Sequence, residues 1–250
     1  KPVSGATVFA IASDRRTRAL QDVVAKATTD QAGAFELELP QTPDDEVGVY
    51  FVATHPDYGL GSTTSWHLRM LGSGDNIKLT LQKAASLAGK VVDSQGKPVK
   101  GAKVVPSVSY QTSDGSSGFY LPVCEAVLGV ETSEDGHFVI AGLPEKSNVS
   151  LRVSHPDYAT ALAGVPESPQ AGVMGLLKPG AADVEVVLYV GGSIEGTVLL
   201  PDGKPAADVK VTAALAGADA ARMKAGLLGL FQAQTDSQGK YVLRNLPAGN

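Results

Sequence analysis

Short stretches of strict alternation between apolar and polar residues recur along this chain. Ala102 and Val104 flank Lys103, and Val209 and Val211 flank Lys210. Ile77-Lys78-Leu79-Thr80-Leu81 and Val184-Glu185-Val186-Val187-Leu188 carry the same signal, as do Val49-Tyr50-Phe51-Val52 and Val149-Ser150-Leu151-Arg152-Val153. A period of two places one face of a strand in a core and the other in water. The runs are separated by turn clusters such as Asp93-Ser94-Gln95-Gly96-Lys97-Pro98, in which the glycine supplies the positive φ of a tight turn. A different period occurs between Ala213 and Gln232, where Met223, Leu227, Leu230 and Phe231 fall on one helical stripe. That spacing predicts a short helix covering its own sandwich or docking a partner, although Gly226 and Gly229 weaken it as a free helix.

The turns and strands repeat in a fixed order. Thr29-Asp30-Gln31-Ala32-Gly33-Ala34-Phe35, Thr132 to Phe138, and Thr235 to Tyr241 place their glycines at 33, 136 and 239, with 103 residues between successive ones. Lys1-Pro2-Val3-Ser4-Gly5-Ala6 recurs as Lys97 to Ala102 and as Lys204 to Val209, and His-Pro-Asp-Tyr stands at 55–58 and 155–158. Three signatures in one order predict a tandem array. The repeat 86–190 is complete. The repeat 1–85 lacks the strand matching Leu87 to Asp93, and the repeat 191–250 stops before its last strands. Seven or so short strands in about a hundred residues predict an all-β fold, a two-sheet antiparallel sandwich in each repeat. Phe35, Phe138 and Tyr241 should point into the cores, and Gly142-Leu143-Pro144 should end its strand because proline cannot donate to a ladder. The joints Gln82 to Ala85 and Gly191-Gly192 are too short to swing freely, which predicts a semi-rigid rod.

The run G-x-V-x-D-x-x-G-K-P-V-x-G-A-x-V, followed by T-x-x-D-G-x-F, G-L-P and V-x-H-P-D-Y, resembles the carboxypeptidase regulatory-like domain family, whose fold is similar to transthyretin (prealbumin). The resemblance implies seven-stranded Ig-like or prealbumin-like sandwiches without catalytic residues. Such modules stand beside metallocarboxypeptidase domains or, in bacteria, form tandem spacer, adhesion or ligand-binding arrays in secreted and envelope proteins.

Composition narrows the function classes. With 43% hydrophobic residues, 28 glycines and 15 prolines, the chain suits many short strands better than long helices. A net charge of -5 leaves no broad basic field, which argues against nucleic acid as a partner. Cys124 is the single cysteine, so an internal disulfide framework and a cysteine-rich metal site are excluded. No uncharged apolar run approaches the roughly 18 residues needed to span a bilayer. The start at Lys1 leaves room for a signal peptide or anchor upstream.

Candidate chemistry lies where the repeats differ, because binding sites are grafted onto loops of a shared scaffold. The stretch Tyr110 to Cys124 could present Tyr110, Phe119 and Tyr120 as an aromatic ligand platform, with core or inter-module packing as the alternative. The stripe Met223, Leu227, Leu230 and Phe231 is the candidate partner-docking surface. Arg15, Arg16 and Arg18 and the acidic Asp44-Asp45-Glu46 read as solvated loops, and the histidines of His-Pro-Asp-Tyr as turn residues bonding locally. There is no Gly-x-Ser-x-Gly, His-Glu-x-x-His, His-x-His, Tyr-Arg-Gly-Ser or Walker loop, so no catalytic residue, metal ligand or cofactor is expected. The expected function is a non-catalytic spacer or scaffold binding protein or carbohydrate, located outside the cell, at its surface or in the periplasm. The alternative is the accessory region of a larger secreted peptidase or glycoside hydrolase, with the catalytic domain elsewhere in the same polypeptide.

Overall fold

The computed structural model describes residues 1–14, 20–40, 47–63, 66–67, 77–111, 118–121, 125–165, 176–213 and 231–246. Nearly every element is a strand. The N-terminal part holds β1 (Thr7–Asp14), β2 (Leu20–Thr28), β3 (Val47–His55), β4 (Tyr58–Ser62) and β5 (Trp66–His67). The central part holds β6 (Gln82–Asp93), β7 (Lys103–Gln111), β8 (Gly118–Leu121), the single-turn helix α1 (Glu125–Leu128), β9 (Val130–Glu131), β10 (His137–Pro144), β11 (Ser147–His155), β12 (Tyr158–Ala163) and β13 (Val184–Leu188). The C-terminal part contributes β14 (Gly192–Thr197), β15 (Lys210–Ala213), β16 (Phe231–Gln234) and β17 (Lys240–Leu246).

Two sheets face each other in the central part. In one, β6 pairs antiparallel with β10 on one side and parallel with β13, with Val186 opposite Val91; in the other the order is β12-β11-β7-β8, with β9 on β7. The parallel β6–β13 ladder departs from the all-antiparallel expectation, the chain between them passing through β7 to β12 before β13 returns beside β6. Alternation fills the space between the sheets: Leu87, Val91, Ile140 and Val186 from one side meet Val104, Val108, Val149 and Leu151 from the other, all buried. Burying each such side chain is worth about 1.5–3 kcal/mol before entropy is counted.

The predicted turns form, and they form alike at all three places. The hydroxyl of Thr132 donates to the carbonyl of Val99 at 2.7 Å and accepts the amide of Ala102 at 2.8 Å. Thr29 does the same between Val3 (2.7 Å) and Ala6 (2.9 Å), and Thr235 between Ala206 (2.7 Å) and Val209 (2.8 Å). Asp30 and Asp236 each accept two backbone amides through Oδ1, holding the turns whose glycines, Gly33 and Gly239, sit at φ of 74° and 72°. Each turn is therefore pinned by its own side chains as well as by the ladders around it.

Three details differ from expectation. Pro144 lies within β10 instead of beyond it, because a bulge between Ile140 and Leu143 lets the strand continue while the Pro144 carbonyl accepts the Ser147 hydroxyl at 2.7 Å. Phe138 is buried, but Phe35 and Tyr241 are only half-buried. The alternating stretches 35–39 and 77–81 are extended, with apolar residues half-buried, yet neither joins a ladder.

Candidate interaction surfaces

The segment between the N-terminal and central parts is a strand. β6 begins at Gln82, so the residues expected to form a short connector, Gln82 to Ala85, are ladder residues: Lys83 pairs with Tyr58 and Gln82 with Gly59 of β4, while Ala84 and Ala85 pair with Pro144 and Leu143 of β10. Gly59 is required there, since a Cβ would stand 2.9 Å from the carbonyl oxygens of both Lys83 and Leu143. The core is continuous across this joint, with Ile11, Val52 and Leu60 packed in one cluster with Leu87 and Leu143. A related but smaller contact appears one step along the chain. Ala159, which follows His155-Pro156-Asp157-Tyr158 as Gly59 follows His55-Pro56-Asp57-Tyr58, donates its amide to the Tyr189 carbonyl at 2.8 Å.

The His-Pro-Asp-Tyr turns lie beside both contacts. His55 Nδ1 accepts the Asp57 amide at 3.1 Å and its ring lies 5.2 Å from that of Tyr58; His155 repeats this with Asp157 at 3.2 Å and Tyr158 at 5.3 Å. Among the described residues no group of three His, Cys, Asp or Glu could hold a metal ion. At the first joint Gly142, at φ 71°, faces the carbonyl of Tyr58. At the second, Asn245 takes the equivalent place before Leu-Pro, adopts φ 57°, and donates through Nδ2 to the carbonyls of Pro156 (2.8 Å) and His155 (3.4 Å). Asparagine tolerates the left-handed region better than other side chains, so this position keeps the backbone shape and gains a clamp.

A second surface lies on sheet β12-β11-β7-β8. Val104 and Val108 of β7 and Val149, Leu151 and Val153 of β11 face the core, which leaves Ser107, Ser109, Ser150 and Arg152 on the other face. Ser107 stands opposite Ser150 in the ladder, and both are 2% exposed. Neither hydroxyl, nor Arg152 Nε, has a hydrogen-bond partner among the described residues. Burial lowers the Arg152 pKa, with the Glu125 charge opposing. Glu125 itself reaches Lys103 at 2.6 Å, and that hydrogen bond, with the charge behind it, raises the Lys103 pKa. The strip is therefore a closed polar face, its hydroxyls buried beside a largely buried guanidinium. Sequence reading passed over it because serines inside a strand look like ordinary solvent-facing positions; the signal was Val105-x-Ser107-x-Ser109 opposite Ser150-x-Arg152.

The predicted aromatic residues fall at the end of this strip. The β7–β8 ladder sets Tyr110 opposite Phe119 and Ser109 opposite Tyr120, and Tyr110 pairs on its other side with Ser147. Of the second predicted group, Phe231 opens β16 half-buried opposite Ala213, whereas Met223, Leu227 and Leu230 lie outside the described residues, as do Cys124, the arginines 15, 16 and 18, and the acidic 44–46.

Residues 86–171 match the carboxypeptidase regulatory-like domain family. No curated protein matches the chain. Among solved structures, hydroxyquinol 1,2-dioxygenase from Pseudomonas putida DLL-E4 is similar at 18% identity over 47% of this chain, with a TM-score of 0.29; the chain spans 60% of that enzyme's length. The shaft pilin SpaA from Lactobacillus rhamnosus GG is similar at 11% identity over 77% of this chain and 87% of its own, with a TM-score of 0.30. A streptococcal ancillary pilin aligns over 100% of this chain and 82% of its own at 10% identity and a TM-score of 0.29. No helix among the described residues is long and apolar enough to cross a membrane.

Proposed function

We propose that the chain is a stiff, non-catalytic array of three sandwich units, 1–85, 86–190 and 191–250, serving as a spacer and interaction scaffold in a secreted or envelope protein. The observation that carries this reading is the joint. A protein whose task is to hold partners at a set distance needs connections that do not bend, and here the strand after each His-Pro-Asp-Tyr turn bonds to the segment that follows its part of the chain, by a ladder at the first and by the Ala159 amide at the second. The family matched over 86–171 is named for a regulatory module and supports a non-catalytic role. The candidate ligand surface of the array is the Tyr110, Phe119 and Tyr120 end of β7 and β8, and the ligand class it would take is a carbohydrate or peptide.

Spin labels at Gln31, Glu134 and Ser237, which occupy the same place in the three turns, test the architecture once Cys124 is replaced by serine. Pulsed electron resonance should give narrow distance distributions of similar mean for the pairs 31–134 and 134–237. Broad distributions would remove the stiff array.

A further inference from the structure

The two connections along the chain are not held alike. At the first, Gln82 and Lys83 lie in the ladder with β4, the Glu145 amide donates to the Lys83 carbonyl at 2.9 Å, and Leu60 shares one buried cluster with Leu87 and Leu143. At the second, among the described residues, the hydrogen bonds from 191–250 to the rest of the chain are the two that Asn245 Nδ2 donates to the carbonyls of Pro156 and His155. No described residue of 191–250 belongs to the cluster that holds Leu87 and Leu143.

The difference is written into the central unit itself. By their distance from Ala6 and His55, Ile11, Val52 and Leu60 correspond to Ser107, Arg152 and Thr160, which stand as far from Ala102 and His155. The first three are buried in the cluster that crosses the first joint. Their counterparts are polar, so the central unit has no equivalent apolar residues to share with 191–250. A contact closed by one side chain opens at a lower cost than one closed by a ladder and a core.

The connecting residues suit a pivot. A Cβ at Gly191 would stand 2.7 Å from the Asn245 Cα and 3.2 Å from the Ala159 Cα, so the chain passes between the two parts in close contact with both. A Cβ at Gly192 would meet nothing within 4 Å, and this residue is exposed. Two successive glycines absorb large changes of φ and ψ.

We propose that the chain moves as two bodies, 1–190 and 191–250, which turn about Gly191-Gly192, and that Asn245 is the latch that holds them closed. Closed, the array has the fixed spacing of the reading above, on which this inference rests. Open, the arm 1–190 keeps its length while 191–250 points in a new direction.

Asn245→Asp tests the latch in the full chain carrying Cys124→Ser and spin labels at 31, 134 and 237. The substitution keeps the size of the side chain and its tolerance of the left-handed backbone, but turns the donor into an acceptor facing two carbonyls. The 134–237 distance distribution should at least double in width, with 31–134 unchanged. In the chain with Asn245 intact, urea below the unfolding transition should widen 134–237 before 31–134. Exchange of the Val209 amide, bonded to Thr235 inside 191–250, should keep its rate in Asn245→Asp. A 134–237 width unchanged by Asn245→Asp, a 31–134 distribution that widens as early in urea, or faster Val209 exchange would each overturn the proposal, the last because 191–250 would be unfolding instead of turning. Failure of the stiff array itself would show separately, as broad distributions for both pairs without urea and with Asn245 intact.

Discussion

Replacing Thr132 with valine is the most direct probe of how this fold is held. The substitution is nearly isosteric and keeps the β-branched side chain, but it removes a hydroxyl that bridges Val99 and Ala102 across 2.7 and 2.8 Å. Ala102 is fully buried and Val99 is 5% exposed, so water cannot replace either bond without opening the turn. A buried donor or acceptor left unsatisfied costs about 1–3 kcal/mol. With one donor and one acceptor stranded, the expected loss is about 2–6 kcal/mol. Thr132→Ser is the control: it keeps both bonds and loses one methyl group, worth about 0.8 kcal/mol. Native-state exchange of the Ala102 amide in the full chain reads the local free energy directly, and urea unfolding followed by circular dichroism reads the global one. Valine should cost at least twice what serine does. Equal losses for the two variants would mean that the methyl packing matters and the bridge does not, and the account of the repeated turn would fail. Thr29→Val and Thr235→Val should show the same contrast at Ala6 and Val209, since the bridges match within 0.1 Å.

Other expectations concern the ladders, the joints and the charged groups. Gly89→Ala places a Cβ against the Val184 carbonyl and Phe138, and should lower stability by about 2–3 kcal/mol in thermal unfolding; wild-type stability would contradict the β13–β6–β10 packing. Asn245→Gly keeps the left-handed backbone and deletes the clamp onto Pro156 and His155, so the 134–237 distance distribution should broaden while 31–134 stays narrow, at a cost near 1 kcal/mol. Lys103 gains its partner Glu125 on folding and its pKa is raised. Its contribution is thus fully present below the ordinary lysine value and is lost only as pH climbs through the raised one. In an NMR titration Glu125→Gln should bring the Lys103 midpoint back down.

The turns were legible in the sequence because their residues act locally. Gly33, Gly136 and Gly239 are needed for backbone conformation, Asp30 and Asp236 bond to amides two and four residues on, and no distant partner is required to recognise them. The strands followed from alternation for the same reason. The stretch 77–81 has that alternation and still joins no ladder, since pairing depends on a neighbour that periodicity cannot count. The joints were harder to read. Gln82 to Ala85 looks like a connector by composition, and only the partners from β4 and β10 make it a strand. Asn245 differs from Gly142 by one residue type, and its role depends on a turn 89 residues earlier in the chain. In the strip at Ser107 and Ser150, hydroxyls that suit solvent equally suit a closed face, and tertiary packing decides between them.

β6 belongs to two neighbours at once, bonded near its start to β4 and toward its end to β13. A linker of loose residues would lengthen under small forces, absorbing tension as lost entropy. Here the connecting residues are themselves ladder partners of β4 and β10, so lengthening the segment means breaking backbone hydrogen bonds. The segment 82–85 therefore resists stretching through backbone hydrogen bonds, where a loose linker would resist only through lost entropy.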